Sequence, residues 1–185
     1  MTGTKTTDQV LPGVDALVTR VRAVVSQHRS DRATATMVAR CLRPALRERD
    51  LLAPEHQAGS PDGYRQHILH VEPDGSFSVV ALVWLPGQST AVHDHVSWCT
   101  VGVYRGEETE VRYRLAGPPS DRRLVVADRL TNENGSVSGI APPGDIHQVT
   151  NTGSDLAISL HVYGADIGKF GSSIRRCYDL PVVDR

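Results

Sequence analysis

GQSTAVHDHVSWCTVGVYRG, residues 87–106, is the stretch on which the reading of this chain turns. Its Val, Thr, Trp and Tyr content predicts a strand. Side chains alternate across a strand, so His93 and His95 project to one side and Asp94 to the other. Two imidazoles on one face are half of a metal site. An isolated HxH pair is equally well read as two solvated strand histidines, so its meaning depends on the rest of the sequence.

Outward from that stretch, the chain has the make-up of an ordinary folded protein. Its 185 residues suffice for a single core, and a formal net charge of -1 leaves no basic footprint for nucleic acid. No apolar run approaches the length of a membrane span. The first residues, MTGTKTTDQVLPG, lack the apolar segment of a secretory leader. Cys41, Cys99 and Cys177 are odd in number and widely spaced, which argues against a disulfide framework and predicts a reducing, cytoplasmic setting.

On the N-terminal side, residues 1–12 are expected to be a disordered lead-in. Leu17, Val18, Val21, Val24 and Val25 recur at helical spacing, and Ser30 and Asp31 offer an N-cap for a second helix over about Arg32 to Arg49. Pro44 is expected to bend or divide that helix. After Tyr64 the pattern changes to short runs of strand character separated by turns: Tyr64–Val71, Phe77–Leu85, Thr100–Tyr104, Glu108–Leu115, Arg122–Leu130, Gly135–Ile140, His147–Asn151 and Leu156–Tyr163. Such spacing predicts an all-β antiparallel sandwich or barrel, with the helices packed on it. His28, His56, His67 and His70 read as surface or packing residues.

The second half of the site lies in APPGDIHQVTN, residues 141–151, where His147 follows a Pro-Pro-Gly turn. The two segments together resemble the cupin superfamily, whose motifs run G-x5-HxH-x3-E-x6-G and G-x5-PxG-x2-H-x3-N. Gly87, His93, His95 and Gly106 fit the first, with Cys99 in place of the glutamate. Pro142, Gly144, His147 and Asn151 fit the second, its leading glycine displaced by one to Gly135. The resemblance implies a double-stranded β-helix, or jelly-roll barrel: one cupin domain over 13–185, with a helical region at 13–52 and the barrel at 62–180. With no carboxylate among the ligands, three neutral imidazoles leave a metal's full charge and open positions for substrate. A structural zinc is the competing reading, but such sites are closed by four protein ligands.

Ser159, His161 and Tyr163 alternate along one further strand and so share a face, where they can form a hydrogen-bond relay. With the three histidines, they make the chain similar to the type I cysteine dioxygenase family of thiol dioxygenases. The resemblance implies that His93, His95 and His147 bind Fe(II) and that Ser159, His161 and Tyr163 support it. The implied reaction adds both atoms of O2 to a small thiol, giving a sulfinate. Vertebrate-type members cross-link a cysteine to the tyrosine matching Tyr163. Cys99 is its counterpart here, one residue closer to the HxH pair, or else a free buried thiol. Cysteine-specific members clamp the substrate carboxylate with a Tyr-x-Arg segment. Here it reads Tyr64-Arg65-Gln66, similar to the 3-mercaptopropionate dioxygenases, which take the carboxylate with a later arginine. Arg175 and Arg176 are the candidates, a surface role for them and for Arg65 being the default reading. The expectation is a thiol dioxygenase, monomeric or weakly self-associating, for a 3-mercaptopropionate-like thiol ahead of L-cysteine. A cupin enzyme for a non-thiol substrate and a non-catalytic sensing cupin are the rivals; the latter would need an output domain for which this chain has no spare length.

Overall fold

The computed structural model describes residues 12–184. The expected lead-in therefore lies outside the described residues, apart from Pro12, which opens the first helix. α1 (Pro12–Val25) and α2 (Asp31–Ala45) are the two helices read from the sequence. Val14, Leu17, Val18, Val21 and Val24 form the buried stripe of α1, and Ala35, Val38 and Leu42 that of α2. Pro44 does not divide α2. It stands in the last turn, and the helix ends at Ala45, short of the expected Arg49. A proline ring crowds the carbonyl four residues back and supplies no N–H, so it costs least where the helix is already stopping. Ser30 occupies the N-cap position, but its side chain makes no capping bond.

The strands are β1 (Arg65–Val71), β2 (Ser78–Trp84), β3 (His93–His95), β4 (Cys99–Arg105), β5 (Glu107–Ala116), β6 (Arg123–Glu133), β7 (Val137–Ile140), β8 (His147–Thr150), β9 (Ala157–Tyr163), β10 (Ile174–Cys177) and β11 (Val182–Val183). A short helix, α3 (Ile167–Phe170), precedes β10. One sheet runs β1-β2-β9-β4-β7 and the other β10-β3-β8-β5-β6-β11. This is the jelly roll with N-terminal helices expected from the sequence. All but one of the strand pairings are antiparallel; β11 joins β6 in parallel.

β2 and β9 are buried along their whole length because the first sheet is covered on both faces. Val79, Ala81 and Val83 of β2, with Ile158, Leu160 and Val162 of β9, share a core with α1 and α2. Val80, Leu82 and Trp84, with Ala157 and Tyr163, face the other way into the barrel. An uninterrupted apolar strand needs two apolar surroundings, and the helices supply the second. Gly106, the last residue of the first motif, turns from β4 into β5 at φ +74°, and a Cβ there would lie 2.9 Å from both Ala157 Cα and Leu156 O. Only glycine fits that turn. No helix among the described residues is long and apolar enough to cross a membrane.

Candidate active site

β3 and β8 pair with His93 directly opposite His147, and alternation along β3 brings His95 to the same side. The three ring centroids form a nearly equilateral triangle with sides of 4.8, 4.7 and 4.9 Å. Their potential ligand atoms all lie within 4.8 Å of one another. Each ring is held from behind through Nδ1: His93 by Ala91 O at 2.9 Å, His95 by Asp145 Oδ2 at 3.1 Å, and His147 by Glu110 Oε1 at 2.8 Å. A carbonyl and two carboxylates can only accept, so Nδ1 carries the proton and donates. Nε2 is left with a free lone pair, the tautomer a metal requires. Burial, then the charge of the neighbouring imidazoles, pushes His93 down to about 3. Burial also lowers His95, against the opposing pull of Asp145. The donor set thus fits a metal ion: three histidine nitrogens, each with its Nδ1 proton engaged from behind, and no carboxylate in the group.

Those two carboxylates were not singled out in the sequence. Glu110 resists burial because His147 and Arg112 both donate to it, and it is held down at about 2. Asp145 accepts the His95 backbone N–H as well as its ring N–H. Asp145 occupies a variable position of the second motif, which hides it. Glu110 had a visible signal: alternation along β5 turns both Glu108 and Glu110 inward, where a barrel strand is normally apolar.

β9 delivers its relay as expected. Ser159 Oγ lies 3.0 Å from His161 Nε2, and Tyr163 Oη lies 3.0 Å from His161 Nδ1. Trp84 Nε1 donates to Ser159 Oγ at 3.2 Å. Burial, then the nearby histidines, pushes His161 down to about 3, so it is neutral at pH 7. Burial pushes the Tyr163 phenol well up. Cys99 is fully buried and directly opposite Tyr163 on the β4–β9 ladder, its Sγ 3.9 Å from His161 Nδ1. The pocket over this cluster is lined by Tyr64, Gln66 and Thr90, and by Ser172, Ser173 and Ile174 of the C-terminal segment, besides the histidines and Tyr163. Tyr64 stacks on Trp84 with ring centroids 4.4 Å apart.

With this geometry in place, the profile of the family described as cysteine dioxygenase type I matches residues 17–170. The chain belongs to that family. Cysteine dioxygenase type 1 of Bos taurus and of Homo sapiens are each 27% identical to it over 92 residues, 49% of this chain and 46% of the relative. The chain thus spans about half the length of the curated relatives it matches. Among solved structures, TT1209 from Thermus thermophilus aligns over 60% of this chain and 91% of its own, at 20% identity and a TM-score of 0.45. An RmlC-like cupin from Desulfovibrio desulfuricans aligns over 60% and 92%, at 17% identity and a TM-score of 0.45.

Against the family expectation, Arg175 and Arg176 do not reach the pocket. β10 pairs with the outer side of β3, and both guanidiniums fasten onto Asp94: Arg175 Nη2 and Arg176 Nη2 each donate to Oδ2 at 2.7 Å, and Tyr178 Oη donates to it at 2.8 Å. These bonds overcome burial and hold Asp94 well below the usual carboxylate range. The reason is electrostatic: Asp94 is turned away from the histidines, and the nearest cations neutralise it. Among the described residues, no lysine or arginine lines the pocket.

Proposed function

We propose that this member of the cysteine dioxygenase type I family is an Fe(II)-dependent thiol dioxygenase that converts a small thiol and O2 to a sulfinate. The observation that carries the reading is the convergence, in one pocket, of three histidine nitrogens and the inward end of the Ser159–His161–Tyr163 relay. His93, His95 and His147 are the residues that would hold iron. When bound, the metal supplies the positive charge that favours a thiolate over a thiol and the redox capacity to use dioxygen. The protein's part is positional. Asp145, Glu110 and the Ala91 carbonyl fix the three rings, and Tyr163, kept protonated by burial, sets a hydroxyl beside the reacting sulfur.

Tyr64, Gln66, Thr90, Ser172 and Ser173 give the pocket neutral polar walls. A neutral wall lacks the bidentate fork with which arginine grips a carboxylate. That wall grips the carboxylate of neither thiol bidentately; what favours a 3-mercaptopropionate-like thiol ahead of L-cysteine is Gln66, standing where cysteine-specific members carry arginine. Cys99 and Tyr163 face each other at the separation of a directly paired strand position, and we assign them as partners in a thioether cross-link. An intact mass without the loss of two hydrogens would rule that out. The unpaired cysteines accord with a reducing cytoplasm, and the protein is expected to act as a monomer or weak oligomer.

The deciding experiment is anaerobic loading with Fe(II), followed by oxygen uptake with 3-mercaptopropionate, L-cysteine and cysteamine and mass spectrometry of the product. Uptake with a gain of two oxygen atoms on the thiol supports the assignment. No uptake with any thiol at full iron occupancy overturns it in favour of a non-thiol or sensing cupin.

A further inference from the structure

Glu108 is a buried carboxylic side chain that the site as described leaves unused. It projects from β5 into the barrel, is 1% exposed, and its Oε1 has no hydrogen-bond partner. It faces the Ser159 hydroxyl and the Trp84 indole, at the end of the relay farthest from the pocket. An unpartnered carboxylate oxygen in a closed interior is costly, and nothing about the fold of β5 demands one there.

Counting donors and acceptors along this line gives two complete arrangements. With Glu108 protonated, its O–H and the Trp84 N–H both donate to Ser159 Oγ, Ser159 donates to His161 Nε2, and His161 Nδ1–H donates to Tyr163 Oη. The Tyr163 proton then points away from His161, into the pocket. With Glu108 ionised, every bond reverses except that from Trp84. Ser159 donates to Glu108, His161 Nε2–H donates to Ser159, and Tyr163 donates to His161 Nδ1, so its oxygen offers the pocket lone pairs. Ser159 uses its single proton and both lone pairs in each arrangement.

We propose that Glu108 is the proton store of this site, and that Ser159, His161 and Tyr163 carry one proton between its carboxylate and the pocket. This rests on the thiol reading for its use. When a thiol becomes a thiolate, its proton passes to Tyr163 Oη. The Tyr163 proton moves to His161 Nδ1, the His161 Nε2 proton to Ser159, and the Ser159 proton to Glu108. One S–H bond is lost and one carboxyl O–H is gained, with no change in electron count. His161 emerges as the other neutral tautomer.

Burial, opposed by Ser159 and Trp84 and reinforced by the Glu110 charge, pushes Glu108 up to about 7, where both forms are accessible. Glu110, on the same strand, is the ionised group that faces it. β2 contributes Trp84, β9 contributes Ser159 with His161 beyond, and β6 sets Asn132 across the ladder.

The test is the tautomer of His161, read by 15N NMR of the full-length, histidine-labelled chain loaded with diamagnetic zinc, and assigned by loss of the signal in His161→Gln. In the wild type, His161 should carry its proton on Nδ1 below neutrality and on Nε2 above it. In Glu108→Gln, whose amide can still donate to Ser159 but cannot ionise, the Nδ1–H form should persist throughout. A wild-type His161 that keeps one tautomer through the neutral range overturns the proposal without any variant, as does a switch that survives in Glu108→Gln. Neither outcome depends on catalysis. A second arm measures, with an indicator dye, proton release on anaerobic 3-mercaptopropionate binding to the iron-loaded protein above neutrality. Release should be near zero in the wild type and one proton per site in Glu108→Gln, whereas equal release in the two overturns the proposal. Failure of every thiol to bind counts against the thiol reading alone, because the NMR arm still decides the proton store.

Discussion

At the scale of single residues, the site depends on which nitrogen of each imidazole is left free, and that choice is made by groups behind the rings. Glu110 is the clearest case, buried and shared between His147 and Arg112. Glu110→Ala leaves His147 free to rotate and to adopt the other tautomer. It should weaken metal retention about 10- to 100-fold, measured by competition with a chromophoric chelator. Glu110→Gln, whose amide oxygen still accepts the Nδ1–H, should lose less. The buried histidines also fix the acid limit of the metal-free chain. His161 titrates at about 3 when folded and near 6.5 when unfolded. Within that window the unfolded state binds a proton that the folded state refuses, so stability is present above about 6.5 and is lost as pH falls. Glu108 has the opposite sign, its contribution being lost as pH rises toward 7. His161→Gln should therefore flatten the fall in urea midpoint between about pH 6.5 and 4.5 and leave the alkaline side unchanged.

At the scale of elements, the C-terminal segment forms one wall of the pocket, and Asp94 is what fastens it. β10 pairs with β3, Tyr178 N–H bonds Val92 O, Val96 N–H bonds Ser173 O, and five side-chain bonds converge on Asp94. Asp94→Asn removes the charge but keeps the shape. Hydrogen exchange at residues 174–177 should then accelerate, while β2 and β9 remain protected. Ser172 and Ser173 line the pocket from that segment, so KM for the proposed thiol substrate should rise more than kcat falls. Equal protection in the two proteins would show that backbone pairing alone holds β10. This wall was the least readable part of the sequence. β10 and β11 are too short for alternation to register, and the reach of an arginine cannot be read from its position. Asp94 was seen to point away from the histidines, but not that its charge would collect Arg175 and Arg176.

For the whole molecule, the metal site is a long-range contact: β3 and β8 come together only when the second sheet is assembled. A ligand that binds the folded state alone stabilises it, by about 2.7 kcal/mol at a hundredfold excess over Kd. Added Fe(II) or Zn(II) should accordingly raise Tm in the wild type, chelation should reverse the rise, and His147→Ala should abolish it. The strand runs, the helical pair and the three histidines were legible because each is a short-range pattern, of period two, of period 3.6, or of fixed motif spacing. Of the carboxylates behind the histidines, Asp145 was not legible and Glu110 showed only that it turns inward, since their pairing with the rings depends on which strands become neighbours. β9 is where these scales meet, with Ser159, His161 and Tyr163 on its inner side and Ile158, Leu160 and Val162 against the helices. An uncompensated loss or gain of one residue within that strand would exchange the sides of everything beyond it, aiming apolar side chains at the three histidines and polar ones at a wall of α-helix.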